Sequence, residues 1–209
     1  MEPDRLTSFK FIHAADLHLD SPLTGLAVKS YEYARRVDEA SRIAFTKLID
    51  LAIDENCSFM VIAGDLFDGQ WKDYRTGLFF ANQMARLRDA GIPVFIVLGN
   101  HDAENRFVSR LKLTDNVSLF SSKSPHTYKL PALNVAIHGQ SFPTRDVTTN
   151  LAAGYPQAVP GWFNIGVLHT NLGGISEHAN YAPCSLQTLK NKGYQYLSLI
   201  HISEPTRPY

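Results

Sequence analysis

Cysteine, long apolar runs and an excess of charge are all scarce or missing in this sequence. Its 209 residues contain only Cys57 and Cys184, whose spacing matches no Cys-x-x-Cys pattern. We expect both thiols to be reduced and buried, which favours the cytoplasm over an oxidising compartment. No apolar run approaches the roughly 18 residues of a membrane span, and the polar residues 1–5 do not resemble a signal peptide. The chain is therefore predicted to be soluble and cytoplasmic, with no membrane partner.

The charges of the sequence balance. Lys and Arg number 20, Asp and Glu number 20, and the formal net charge is +0. The overall basic charge of many nucleic-acid-binding proteins is thus absent, although a local basic groove can occur on a neutral protein, so DNA stays open as a substrate. A hydrophobic share of 44% and a charged share of 19% are ordinary for a globular protein. With no internal repeat or low-complexity linker, one α/β domain is expected.

Strand-like apolar runs alternate with helical periodicity in the first half of the chain. We expect strands over 9–15, 59–63 and 93–98, and helices over 31–55 and 73–90. This order predicts parallel strands joined by right-handed crossovers. Shorter strands are expected afterwards at 117–120, 126–130, 134–138 and 164–168, with a short helix over 146–153. These later strands predict a second sheet packed on the first.

Side chains that bind metals follow the strands directly. The motifs are Asp16-Leu17-His18, Gly64-Asp65-Leu66-Phe67-Asp68 and Gly99-Asn100-His101-Asp102, and Val167-Leu168-His169 adds a fourth strand end. Ligands bind beyond the carboxyl ends of parallel strands, so the motifs are expected to meet at one edge. Carboxylate, amide and imidazole groups suit Mn, Fe or Zn rather than Ca or Cu. The sequence therefore predicts a two-metal phosphoesterase centre.

Phosphoester hydrolysis by two ions about 3.5–4 Å apart needs a carboxylate that can bridge them. Asp65 is the candidate, because it is central in the order of the motifs. Asp16 and His18 can reach one ion together. Asn100 and His169 can serve the other ion through an amide oxygen and an imidazole.

The leaving group also needs a proton donor. His101 is placed to supply it, with Asp102 as the residue that orients the ring. Each motif alone has an ordinary explanation as a helix cap or a turn, but their recurrence at successive strand ends favours one shared site. We expect local hydrogen bonds or packing, and no site role, for His13, His126, His138, Trp71 and Trp162, while His178 stays open.

Together the motifs resemble the signature of the calcineurin-like metallophosphoesterases. The string over residues 12–23 resembles the bacterial DNA-repair exonuclease branch of SbcD- and YhaO-like proteins, as do Tyr181-Ala182-Pro183-Cys184 and Gly193-Tyr194-Gln195-Tyr196. The resemblance implies a four-layer α/β/β/α sandwich and Mn²⁺-dependent cleavage of DNA phosphodiesters. It also implies an ATPase partner subunit, and a homodimer is left open. The ligand roles it implies are those assigned above.

The end of the chain departs from this pattern. The family has Gly-His-x-His after the strand expected at 194–199, where this chain has Ile200-His201-Ile202-Ser203. His201 aligns with the first histidine and can serve the second metal, whereas Ser203 replaces the last ligand of the first metal. We therefore expect a phosphoesterase domain over 1–196, truncated near its end, and a divergent or foreign tail over 197–209. The first metal should then bind weakly, and turnover should be slow.

Two other functions remain open from the sequence. The same scaffold supports phosphatases and nucleotide phosphodiesterases, because the fold does not fix the substrate. The chain could also be a catalytically silent scaffold whose pocket binds a phosphate or a partner subunit.

Overall fold

The computed structural model describes residues 8–21, 31–67, 74–103, 111–170, 172 and 182–198. The strands are β1 Phe11–Ala14, β2 Phe59–Ala63, β3 Val94–Val97, β4 Val117–Leu119, β5 His126–Leu130, β6 Val135–Gly139, β7 Phe163–Val167 and β8 Tyr196–Ser198. The helices are α1 Tyr31–Asp54, α2 Tyr74–Asp89, α3 Asn100–Ala103 and α4 Leu186–Lys190, with short 3-10 turns at Pro131–Leu133 and Leu151–Gly154.

The first sheet contains β1, β2, β3 and β4 in that order, and all of its strands are parallel. This confirms the crossovers predicted from the alternating pattern. Every residue of β2 is buried, because α1 and α2 cover one face of the sheet and the second sheet covers the other. Met60 and Ile62 face Phe45 and Phe80 of the helices, whereas Val61 faces the second sheet.

The second sheet has the order β5, β6, β7, β8. Its first pair is antiparallel and the other two pairs are parallel. Ile137 and Ile165 of this sheet pack against the first sheet. On the outer face, Leu168 packs with Tyr155 and with Leu189 of α4. The layers are therefore helix, sheet, sheet and helix, which confirms the predicted α/β/β/α sandwich.

Two of the short elements differ from the sequence prediction. The helix expected over 146–153 is only the 3-10 turn Leu151–Gly154, in which the Asn150 side chain accepts a hydrogen bond from the amide of Ala153 at 3.1 Å. Helix α4 was not predicted, although Ser185 caps it by accepting from the amide of Thr188 at 3.1 Å.

A half-buried histidine joins the two sheets. His13 on β1 lies 3.0 Å from the Tyr196 hydroxyl through Nδ1, and its Nε2 contacts the Ser198 hydroxyl on β8. Local hydrogen bonds were predicted for this residue, but both of its partners lie at the far end of the described chain. His138 behaves similarly, with Thr127 at 2.8 Å and Asn164 at 3.0 Å.

Strand β8 includes Leu197 and Ser198, so it runs two residues past the domain boundary predicted at 196. Residues 199–209 lie outside the described part, and the interpretation of that tail stays a prediction. Cys57 and Cys184 are both buried and free of a disulfide, as expected. Within the described ranges, no helix combines the length and the apolar character that crossing a membrane requires.

The His13 link predicts a pH dependence of stability. Burial lowers the pKa of His13 below its ordinary value of 6.5. The unfolded chain therefore takes up a proton on this ring near pH 6.5, at a pH where the folded protein does not. The free energy of unfolding should fall as the pH drops through this range, because the unfolded state then binds more protons.

Urea unfolding between about pH 7.5 and 5.5 measures this slope. His13→Asn should make the slope shallower than in the parent chain. His126→Asn is the matched control, because His126 is exposed on β5, and it should keep the parent slope. An unchanged slope in His13→Asn would contradict the assignment.

Candidate metal centre

The carboxyl ends of β1, β2 and β3 lie at one edge of the first sheet, since these strands are parallel neighbours. Asp16, Asp65 and Asn100 follow these ends, and β7 of the second sheet brings His169 to the same place. The ligand atoms of Asp16, Asp65 and His169 all lie within 4.8 Å of one another. Three strands that are distant in sequence therefore deliver one cluster of metal-binding groups, as the strand-end rule predicted.

The loops after β1 and β2 hold each other in an unusual backbone conformation. Asp16, His18 and Asp65 have φ values of 49°, 38° and 49°, a left-handed region that costs on the order of 1–3 kcal/mol per residue. The amide of Asp16 donates to the carbonyl of Gly64 at 3.2 Å, and that of His18 donates to the carbonyl of Asp65 at 3.0 Å. These bonds fix both loops, so the ligands are held before any ion binds.

Two glycines of the motifs allow close approach of the ligands. A Cβ on Gly64, whose φ is +89°, would lie 2.4 Å from Nδ1 of His169. A Cβ on Gly99 would lie 2.2 Å from Oδ1 of Asp65. Any side chain at these positions would displace a ligand, which explains the glycine before each of the two motifs.

The inner half of the cluster is Asp65, Asn100 and His169, which are 4%, 1% and 4% exposed. Nε2 of His169 lies 2.7 Å from Oδ1 of Asn100 and 3.4 Å from Oδ2 of Asp65. Its Nδ1 lies 3.3 Å from the carbonyl of Ala63. When the ring proton of His169 is on Nδ1, it is donated to the Ala63 carbonyl. The lone pair of Nε2 then points toward Oδ1 of Asn100 and Oδ2 of Asp65.

An imidazole nitrogen, an amide oxygen and a carboxylate oxygen that lie this close together fit a cation, which would take the place of the proton between His169 and Asn100. The Nδ2 of Asn100 has no hydrogen-bond partner among the described residues, and because an amide N–H cannot bind a cation, Asn100 would serve the ion through Oδ1. Imidazole, carboxylate and amide oxygen are also a ligand set that divalent transition metals accept. The inner half therefore fits a divalent metal ion.

The outer half is Asp16 and His18, whose side chains are each one-third exposed. Nε2 of His18 lies 3.9 Å from Oδ1 of Asp16 and 3.9 Å from Oδ2 of Asp65. The same Asp65 oxygen thus faces His169 on one side and His18 on the other, which is the arrangement a bridging ligand requires. Nδ1 of His18 is buried and has no hydrogen-bond partner within the described ranges.

His101 lies beside the outer half. Its ring packs edge to face on the ring of His18, with centroids 5.3 Å apart. Its backbone amide donates to Oδ1 of Asp65 at 3.1 Å, so the residue is tied to the cluster through the main chain. This position suits the predicted acid, whose role stays a prediction.

Asp102 has other partners than the sequence suggested. Its two oxygens accept hydrogen bonds from the amides of Gly99 at 3.0 Å and of Leu66 and Phe67 at 3.1 Å each. Burial raises the pKa of Asp102 to about 7, and the charge of Asp65 adds to the rise, although the three amides act in the opposite direction.

These contacts describe a residue that positions the loops after β2 and β3, whereas the sequence had suggested one that orients the ring of His101. The sequence did contain a signal for this positioning role of Asp102. Asp102 comes three residues after Gly99 at the start of α3, where an acidic side chain often returns to the amide that precedes the helix.

Sequence reasoning also missed the support that the second sheet gives. Phe142, after β6, packs edge to face on His169 with ring centroids 5.2 Å apart. Its amide donates to the carbonyl of Leu98 at 2.9 Å, and the amide of Leu98 donates to the Ser141 hydroxyl at 3.0 Å. No local pattern marks such a contact, because it joins segments more than 40 residues apart. His201, Asp68 and His178 lie outside the described residues, and the predictions about them stay as they were.

Comparisons with known proteins agree with this geometry. The calcineurin-like phosphoesterase profile matches residues 9–184. YhaO of Bacillus subtilis, named an uncharacterized metallophosphoesterase, is 36% identical over 200 residues, covering 94% of this chain and 49% of YhaO. The DNA double-strand break repair protein Mre11 of Archaeoglobus fulgidus is 33% identical over 112 residues, covering 54% of this chain and 24% of that protein.

This chain thus spans about half the length of YhaO and a smaller part of Mre11. Among solved structures, a dimetal phosphatase from Danio rerio shares 20% identity and has a TM-score of 0.41, over 64% of this chain and 44% of its own. That likeness is too weak to support an argument.

The glycine before Asp65 gives a test of the inner half. Gly64→Ala should carry the left-handed backbone cost of roughly 1–2 kcal/mol and a further cost of about 1–3 kcal/mol for overpacking against His169. It should also weaken Mn²⁺ binding at least about tenfold, as measured by calorimetric titration.

Gly91→Ala is the matched control. Its φ is +72°, but a Cβ there meets nothing within 4 Å. It should show only the backbone cost and parent-like metal affinity. Equal metal affinity in the two variants would show that the ring of His169 is not held as described.

Proposed function

The chain belongs to the calcineurin-like phosphoesterase family, and from that premise we propose that it is a two-metal phosphodiesterase acting on DNA. The observation that carries the proposal is the cluster, in which the ligand atoms of Asp16, Asp65 and His169 lie within 4.8 Å of one another and Oδ1 of Asn100 lies 2.7 Å from His169. The family accounts for hydrolysis of phosphoesters and for the use of divalent metals. The assignment of DNA as the substrate and of manganese as the metal goes beyond what the family accounts for.

The ligands would divide between two ions, and Asp65 would serve both. Asp65, Asn100 and His169 would hold the inner ion, and Asp16, His18 and Asp65 the outer one. Bound divalent ions supply charge neutralisation at the phosphate oxygens and lower the pKa of a water molecule. Because this donor set mixes hard oxygens with imidazole, it suits Mn²⁺. The greater exposure of Asp16 and His18 favours weaker binding at the outer position.

His101 donates a proton to the leaving oxygen in this proposal. Its amide is fixed by Asp65 and its ring lies on His18, so the imidazole is kept at the open side of the cluster, where a substrate enters. A strongly basic alkoxide leaving group, as in a DNA phosphodiester, needs this proton, whereas the weakly basic p-nitrophenolate does not.

The DNA substrate is supported by the relatives. Mre11 proteins of several archaea carry double-strand break repair in their name, and the matches to them cover 54%, 62% and 63% of this chain. An ATPase partner, a homodimer and a cytoplasmic location stay proposals, since the chain spans about half the length of YhaO. Because the net charge is +0, we expect a local groove to contact the phosphates.

Metal titration tests the centre. The 209-residue chain should bind one Mn²⁺ tightly and a second more weakly, and should hydrolyse bis-(p-nitrophenyl) phosphate slowly in a manner that EDTA abolishes. Absence of any Mn²⁺ binding would contradict the proposed function. Two equally tight ions would contradict only the predicted weakness of the outer position. Cleavage of phosphomonoesters alone would indicate a phosphatase.

Comparing substrates with different leaving groups tests the role of His101 more sharply. His101→Ala should reduce cleavage of DNA by about 10²–10⁴-fold, while hydrolysis of bis-(p-nitrophenyl) phosphate falls much less. Mn²⁺ affinity should be unchanged, and His126→Ala on the exposed part of β5 should match the parent. Equal losses on both substrates would contradict the role of His101 as the acid.

The proposed DNA substrate also predicts that DNA binding weakens steeply as the salt concentration rises.

A further inference from the structure

The loop that carries Asp16 and His18 contains a third left-handed residue. Asp20 has a φ of 58°, and it lies in a turn that closes when the amide of Ser21 donates to the carbonyl of His18 at 3.1 Å. Among the described residues, backbone hydrogen bonds to the loop after β2 hold this segment from Asp16 to Leu19. The turn at Asp20 needs a separate anchor.

The carboxylate of Asp20 supplies that anchor. Oδ1 accepts from Nε of Arg42 at 2.8 Å, and Oδ2 accepts from Nη2 of Arg42 and from the Thr76 hydroxyl. The amide of Asp20 donates to the Ser41 hydroxyl at 3.3 Å. The guanidinium of Arg42 also lies over the ring of Phe79, 5.2 Å from its centroid.

These contacts reach two helices from one side chain. Arg42 and Ser41 belong to α1, whereas Thr76 belongs to α2. The side chains of Asp20 and Arg42 are 19% and 35% exposed, so their forked pair is partly shielded from solvent and fixed in orientation. Because His18 begins the turn that contains Asp20, the orientation of this pair also fixes the start of the turn.

We infer that Asp20 is a positioning residue of the metal centre, which holds His18 against Asp16 and Asp65 by tying the His18–Ser21 turn to α1 and α2. This inference rests on the proposed two-metal site. It concerns only the outer ion, because the inner ligands are held by Gly64, Asp102 and the second sheet. The inner ion should therefore be indifferent to Asp20.

Asp20→Asn is the first test, because the side chain keeps its size and loses its charge. Calorimetric titration and the electron paramagnetic resonance signal of paired Mn²⁺ ions should show the outer ion weakened about 10–100-fold. The inner ion should keep its parent affinity. Thr76→Val, which removes one hydrogen bond at constant shape, should weaken the outer ion less.

Asp50→Asn is the matched control. The Asp50–Arg86 ion pair also joins α1 to α2, so its loss reports on helix packing alone and should leave both ions unchanged. Thermal unfolding of each variant without metal separates stability from binding.

Parent-like binding of the outer ion by Asp20→Asn would overturn the inference. An equal loss at both ions would overturn it as well, because it would indicate a general structural defect. If Asp20→Asn does not fold, the Thr76→Val variant decides the question. Unchanged binding of the outer ion by Thr76→Val would then overturn the inference. Failure of the parent chain to bind any Mn²⁺ would instead remove the proposed function.

Discussion

The buried carboxylate of Asp65 is the constraint on which this centre depends. A carboxylate that is almost closed to solvent requires hydrogen bonds or a cation to offset its lost hydration. One oxygen accepts the amide of His101, and the other faces two imidazoles that can share an ion with it. The left-handed backbone of the loop, the missing Cβ at Gly99 and the amides collected by Asp102 all fix this group. The cluster is thus assembled around one charge.

Most of the fold was predictable because burial leaves a strong local pattern. Strand β2 was predicted over 59–63 and has those bounds, since a strand covered on both faces is a continuous apolar run. The elements that were missed are short. The helices α3 and α4 have four and five residues, too few to show a helical period. The parallel pairing of β6, β7 and β8 depends on contacts between distant segments, which composition does not encode.

The ligands were predictable and their supports were not. Asp16, Asp65 and Asn100 each follow a recognisable strand, so the edge at which they meet follows from topology. The side-chain partners of Asp20 lie 21 to 56 residues away, and Leu98 lies 43 residues from Ser141, and nothing in the local sequence indicates them. Asp102 lies between these two cases. Its place in a motif suggested a role in catalysis, whereas its hydrogen bonds to three backbone amides hold the loops after β2 and β3. Residue type and spacing thus identify donors, and packing identifies what holds them.

The pairing of His13 with Ser198 has a consequence for the order of biosynthesis. These residues lie 185 positions apart, and contacts of such long separation are the slow ones in folding. Strand β1 leaves the ribosome first, yet its inner face is completed only when β8 has been translated. The loop at the end of β1, which carries Asp16 and His18, therefore gains its final support after nearly all of the described chain exists. The cluster itself is complete only once His169, which follows β7, has been translated, and the support from β8 comes later still.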